Sequence, residues 1–160
     1  MIPRLPALFL SALLVPASHG RVGETLDECR ARYGQETGKD EEKKLVHFLK
    51  SGLTVSATFE NDRVAWLMIQ NDRAGGAAWS AWAGLADDQI EALQKANGGT
   101  SKWRIIGKPD PLTTIWRTDD KTRYALYSVT SGALIISNSE WWEKAKKQLE
   151  AERKKQVEGF

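Results

Sequence analysis

A helix pattern followed by strand patterns occurs twice in this chain, and that order constrains the fold more than any single motif. In LDECRARYG, Leu26, Cys29 and Tyr33 stand at i, i+3 and i+7, so they share one helix face. Thr25 and Glu28 form a capping box before it, and Gly34 ends it. In IEALQKANGG, Ile90, Leu93 and Asn97 repeat the spacing and Gly98 is the expected stop. This second helix starts at Ala86, with Leu85 stapled to Ile90, or at Asp87 as the cap. Strand patterns follow each helix. After the first, a polar loop at 35–43 leads to strands at 45–49, 53–59 and 64–69. Leu53, Val55, Ala57 and Phe59 alternate with Thr54, Ser56 and Thr58, one apolar and one wet face. After the second helix, strands are expected at 102–106, 112–118, 123–130 and 133–137, with a loop at 107–111.

The order predicts an α+β fold: two helix-plus-antiparallel-meander repeats sharing a continuous sheet, closed by a C-terminal helix. Each repeat alone would bury its helix and sheet face poorly. The helix spans 138–158, opens on a capping box of Ser137 and Glu140, and carries a narrow stripe of Trp142, Ala145 and Leu149. Glu143 with Lys147 and Glu150 with Lys154 stand at i,i+4 in the favourable order. One domain at 21–160 is expected, with units at 21–73 and 85–137 joined by a small-residue connector at 74–84.

The first twenty residues read differently. Arg4 is their one charged residue, an apolar run of eleven residues extends from Leu5 to Val15, and small or polar residues follow. That is the pattern of a secretory signal peptide; a membrane-spanning helix needs roughly 20 apolar residues. Val15 and Ala17 suit a cut after Ala17; Ser18 and Gly20 suit a cut after Gly20. An exported protein, periplasmic or extracellular, is expected, with no integral membrane segment in the mature chain. The 23 Lys and Arg against 21 Asp and Glu give a formal charge of +2, and loss of Arg4 leaves +1. So balanced a chain has no electrostatic footprint for nucleic acid. Its single cysteine forms no internal disulfide.

Little in the sequence resembles catalytic chemistry. Cys29 sits on the inward helix face, where a thiol behaves as a small apolar residue; an intermolecular disulfide is the next reading. A Cys–His nucleophilic pair would have to use His47, which shares a strand face with Leu45 and Leu49 and reads as structural. No metal motif is present, and the glycine pair Gly98–Gly99 follows a helix where a phosphate loop precedes one. No cofactor or metal is expected. The compositional excess is tryptophan, seven residues in all. Trp79 and Trp82 in the connector, Trp116 in a polar strand, and Trp141 beside Trp142 on the last helix are the candidates for an aromatic binding surface. Trp66 reads as core. The Lys-rich tail reads as a solvated helix.

The stretches LDECRARYG, IEALQKANGGTSKW, TTIWRTDD and LIISNSEWW resemble a group of small exported bacterial proteins of unknown function, over most of the chain beyond residue 20. The tandem helix-plus-meander order is also similar to the fold of β-lactamase-inhibitor protein and of SmpA/OmlA-type lipoproteins. That resemblance implies a non-catalytic protein that binds other proteins. The Gly-x-Pro helix end of those families is absent at Gly34–Gln35–Glu36 and at Gly98–Gly99–Thr100, and no lipoprotein cysteine is present. No site residue is carried over. The expectation is a non-enzymatic binding protein whose partner is another protein; a cell-envelope polysaccharide binder and a small hydrolase are the alternatives.

Overall fold

The computed structural model describes residues 21–42, 44–72 and 84–158. Residues 1–20, most of the expected connector, and Trp79 and Trp82 with it, lie outside the described residues. Helix α1 (Leu26–Tyr33) opens on the expected capping box: the Glu28 N–H donates to Thr25 Oγ1, and the Thr25 N–H donates to the Glu28 carboxylate at 2.7 Å. The Thr25 bonds hold the Glu28 carboxyl below its ordinary range. Helix α2 (Asp87–Gly98) starts behind Ala86, whose N–H donates to Gln89 Oε1 at 2.9 Å. Gly98 belongs to the helix, and the positive-φ residue that ends it is Gly99.

Strands β1 (Gly38–Asp40), β2 (Leu45–Lys50), β3 (Leu53–Glu60) and β4 (Arg63–Asn71) follow α1. Strands β5 (Trp103–Asp110), β6 (Thr113–Thr118), β7 (Arg123–Ser128) and β8 (Ala133–Asn138) follow α2, and helix α3 (Ser139–Val157) closes the chain. All eight strands form one antiparallel sheet in the order β1-β2-β3-β4-β8-β7-β6-β5. The protein is α+β.

Three expectations are corrected. The loop at 35–43 contains β1, held as an edge by pairing Gly38 with His47; three residues of Gly, Lys and Asp give no period-two signal. The loop at 107–111 is largely strand: β5 runs to Asp110 because register shifts around Gly107 absorb the irregularity, and Pro109 is tolerated on an edge strand. The cap of α3 is Asn138, whose Oδ1 accepts the Trp141 N–H at 2.7 Å. Ser137 is still in the β8 ladder, paired with Trp66 and Tyr124, so its backbone is committed to the sheet.

Alternation divides the sheet into two faces. On the first, Phe48, Val55, Ala57, Leu67, Ile69, Leu134, Ile136 and Ala125 are buried under α1 and α2, which contribute Cys29, Leu26, Tyr33, Ile90 and Leu93. Burying a side chain such as Phe48 stabilises by roughly 2–3 kcal/mol. Asn97, wholly buried on α2, accepts the Val22 N–H at 3.2 Å and donates to the Leu93 carbonyl at 3.0 Å. Gly84 fixes the start of the α2 segment. Its carbonyl accepts from Asn71 Nδ2 at 3.2 Å, and Tyr127 Oη donates to the Leu85 carbonyl at 3.2 Å. A Cβ at Gly84 would stand 2.2 Å from Tyr127 Oη, so only glycine fits that approach without displacing the ring.

The second face carries α3. Trp141 packs on Trp66 of β4 at 5.5 Å between ring centroids, and Trp142 stacks on Tyr124 of β7 at 4.8 Å and 6°. Lys144 reaches back to Glu60 at 3.2 Å and to Glu140 at 3.1 Å. Further along, Lys154 pairs with Glu158 at 3.7 Å, not with the expected Glu150. Trp66, expected in the core, is half-buried between the sheet and Trp141.

Candidate functional site

The register of the last three strands places Ile115 of β6 opposite Leu126 of β7, and Leu126 opposite Ile135 of β8. These side chains form an apolar row on the α3 face. Trp141, Trp142, Ala145 and Leu149 of α3 rise beside it, and Pro109 of β5 closes one end. Between them lies a groove of about 390 Å³. Its rim carries Lys146 and Arg153 and no carboxylate. Neither cation meets an acid among the described residues. Leu149 is 50% exposed at the groove mouth, and Ile105, Ile106 and Leu112 are exposed on or beside the edge strand β5.

A second hollow beside α1, lined by Leu26, Phe59, Arg30, Asp27 and Asp62, differs in character. Arg30 is already committed there, to Asp27 at 2.8 Å and Glu36 at 2.6 Å. Those bonds hold its guanidinium above its ordinary pKa, so it offers little to a ligand.

The sequence candidates separate on this scaffold. Trp141 lines the groove. Trp116 points to the opposite face of the sheet, level with Ala125 and Ile136, where it packs half-buried against the core. Trp116 and Trp141 therefore share no surface, and the displayed strand expected at Trp116 is covered instead. Trp79 and Trp82 lie outside the described residues. The aromatic rings beneath α3 form two pairs, one tilted and one stacked, rather than a coplanar row. Sequence reasoning singled out Trp142, Ala145 and Leu149 as the docking stripe of α3. It missed Ile115, Leu126 and Ile135, because their alignment depends on the register of β6, β7 and β8.

Cys29 is wholly buried, and that burial pushes its thiol up to about 12, with the Glu24 charge adding to the shift. A protonated, enclosed thiol is a poor nucleophile. His47 projects from the other side of the sheet, where its Nδ1 meets Ser56 Oγ at 2.8 Å. The two cannot form a catalytic pair. Beside Cys29, Arg32 binds Glu24 through both Nε and Nη2, an ion pair largely shielded from water. No cluster of three or more His, Cys, Asp or Glu able to hold a metal ion occurs among the described residues. No helix among them is long and apolar enough to cross a membrane.

No protein-family model matches this chain, and neither the curated proteins nor the solved structures give a match. The site is therefore read from its own geometry.

Proposed function

We propose that this chain is an exported, non-catalytic interaction protein that takes apolar side chains of another protein into the groove beside α3. The observation that carries the reading is the groove itself: an apolar floor of Ile115, Leu126 and Ile135, walled by Trp141 and Trp142, open at Leu149. Apolar clefts flanked by aromatic rings and a cationic rim have the composition of protein-binding sites. A sugar-binding platform would use flat exposed rings; here each α3 tryptophan already lies against a ring of the sheet.

Within the same proposal, residues 1–20 are a cleaved leader and the chain beyond them is one domain of two helix-plus-meander units. The tandem reading is supported by the strand order, in which β4 and β8, the last strands of the two sets, pair at the centre of the sheet. Of the two cleavage positions, the one after Gly20 fits the fold better. It leaves Arg21 first, with its nitrogen 3.3 Å from the Glu24 carboxylate and Val22 already buried.

The test is a photo-crosslinking amino acid placed at Leu149 in the producing cell, with the same group at exposed Asp62 as the control. A discrete protein adduct from Leu149 and not from Asp62 is expected. The intact mass of the exported chain should correspond to a start at Arg21. Absence of any protein adduct at Leu149 would sink the binding proposal. A chain that keeps its leader would sink the export proposal.

A further inference from the structure

The two faces of the sheet are covered unequally. Among the described residues, one carries α1 and α2 and the other carries α3 alone, over β4, β7 and β8. On the β2–β3 side of α3 the sheet presents polar side chains: Ser56, buried and bonded to His47 at 2.8 Å, and the half-buried His47, Thr54 and Thr58. On the β6–β7 side it presents Ile115 and Leu126. The row from Ile115 to Ile135 crosses three strands, and α3 lies over its β8 end, so the open floor is Ile115 and Leu126 on β6 and β7, with the edge strand β5 beyond. An α-helix with its side chains is about 10–12 Å across, close to the span of β7, β6 and β5 at the usual interstrand spacing. A second helix laid beside α3 would complete the layer as packed α+β architectures do.

The rim states what charge such a helix carries. Lys146 and Arg153 are seven residues apart on α3, two turns, so they project from one face about 10.5 Å apart. Both are exposed, and neither has an acidic partner among the described residues. We infer that the partner segment is an amphipathic α-helix with an apolar stripe and two carboxylates about two turns apart, seated beside α3 over Ile115 and Leu126. This rests on the binding proposal above and adds the chemistry of the occupant. An added strand fits less well. The groove floor is a sheet face, whose backbone groups are already paired, and the neighbouring edge β5 is interrupted by register shifts and Pro109.

The probe is a phage library of random 16-residue peptides selected on the purified chain. Enriched peptides should repeat apolar residues at i, i+3 or i+4 and i+7, carry Asp or Glu seven apart, and become helical on binding. The exposed double variant Lys146→Glu with Arg153→Glu should weaken them by about 2- to 20-fold, less at high salt, and Lys-bearing versions of the same peptides should recover the loss. Enrichment of period-two or cationic peptides, equal binding to the double variant, or no enrichment would each overturn the inference. So would a Leu149 crosslink that lands on residues 73–83 of the same chain or on a second copy. An adduct with another protein, alongside peptides lacking the acidic helical pattern, would remove this inference and leave the binding proposal standing. Loss of the adduct itself would remove both.

Discussion

Alkali should destabilise this protein in part through Cys29. The thiol is wholly buried, and its pKa stands at about 12 against an ordinary 9.0, chiefly through loss of water. The unfolded chain ionises the thiol from about pH 9 upward, while the folded chain keeps it protonated. A group whose folded pKa is raised contributes stability that is complete below the unfolded pKa and is lost as the pH climbs through the folded value. The window is therefore about pH 9 to about pH 12. At about pH 10.5, some 1.5 units into it, the loss is about 2 kcal/mol; at about pH 8 it is negligible. Against a typical domain stability of roughly 5–15 kcal/mol, that loss is measurable. Burial raises the neighbouring Tyr33 hydroxyl in the same direction, so the wild-type slope alone is insufficient. Cys29→Ala separates the two. Urea unfolding followed by tryptophan fluorescence, at about pH 8 and about pH 10.5, should show the variant about 1 kcal/mol less stable at the lower pH. The gap should close or reverse at the higher pH. Parallel pH dependences for the two proteins would refute the reasoning, and so would rapid labelling of the native thiol at about pH 8 by an aromatic disulfide.

Three further perturbations test the packing around the groove and the core. Asn97→Ala removes the acceptor of the Val22 N–H and should cost about 1–3 kcal/mol in urea unfolding, because the amide stays buried without a partner. Gly84→Ala pushes a methyl group into Tyr127 and should cost about 1–3 kcal/mol, while Gly107→Ala, whose Cβ meets nothing within 4 Å, should be tolerated; comparable melting temperatures for the two would contradict the close approach. Trp142→Ala removes the stack on Tyr124 and should loosen α3, read as a lost near-ultraviolet circular dichroism signal with little change in the sheet.

The parts of the fold that were legible in the sequence are those where a local rule coincides with the tertiary environment. Leu53 to Phe59 alternates, and β3 does turn Val55 and Ala57 into the core; Ser56, expected in water, is buried on the opposite face, where it bonds to His47, so only the apolar side of the pattern holds. Thr25 and Glu28 cap α1 through bonds three residues apart, which any sequence window contains. Strands β1 and β5 failed for the opposite reason. Gly38–Lys39–Asp40 becomes a strand because β2 offers an edge, and Gly107 to Asp110 because β6 does. Neither segment has intrinsic β preference. The cap at Asn138 was displaced by one residue because β8 keeps Ser137 for its ladder, a fact about strand pairing that no capping rule contains.

The candidate site follows the same logic at a longer range. The stripe Trp142, Ala145 and Leu149 was visible as helical spacing, but the stripe alone does not distinguish a helix docked flush from one that leaves a trough beside it. The difference lies in what α3 rests on. Its first turns bury Trp141 and Trp142 against Trp66 and Tyr124, aromatic rings large enough to hold the helix over β4, β8 and β7. Ile115 lies one strand beyond that platform, so the helix that covers Ile135 cannot also cover it. A tryptophan count could not tell the pairs that hold α3 in place from Trp116, which spends its ring on the opposite core. Only the strand register makes that distinction, and it moves the functional weight from the tryptophans as a class to the half-buried aliphatic row of Ile115, Leu126 and Ile135 beside them.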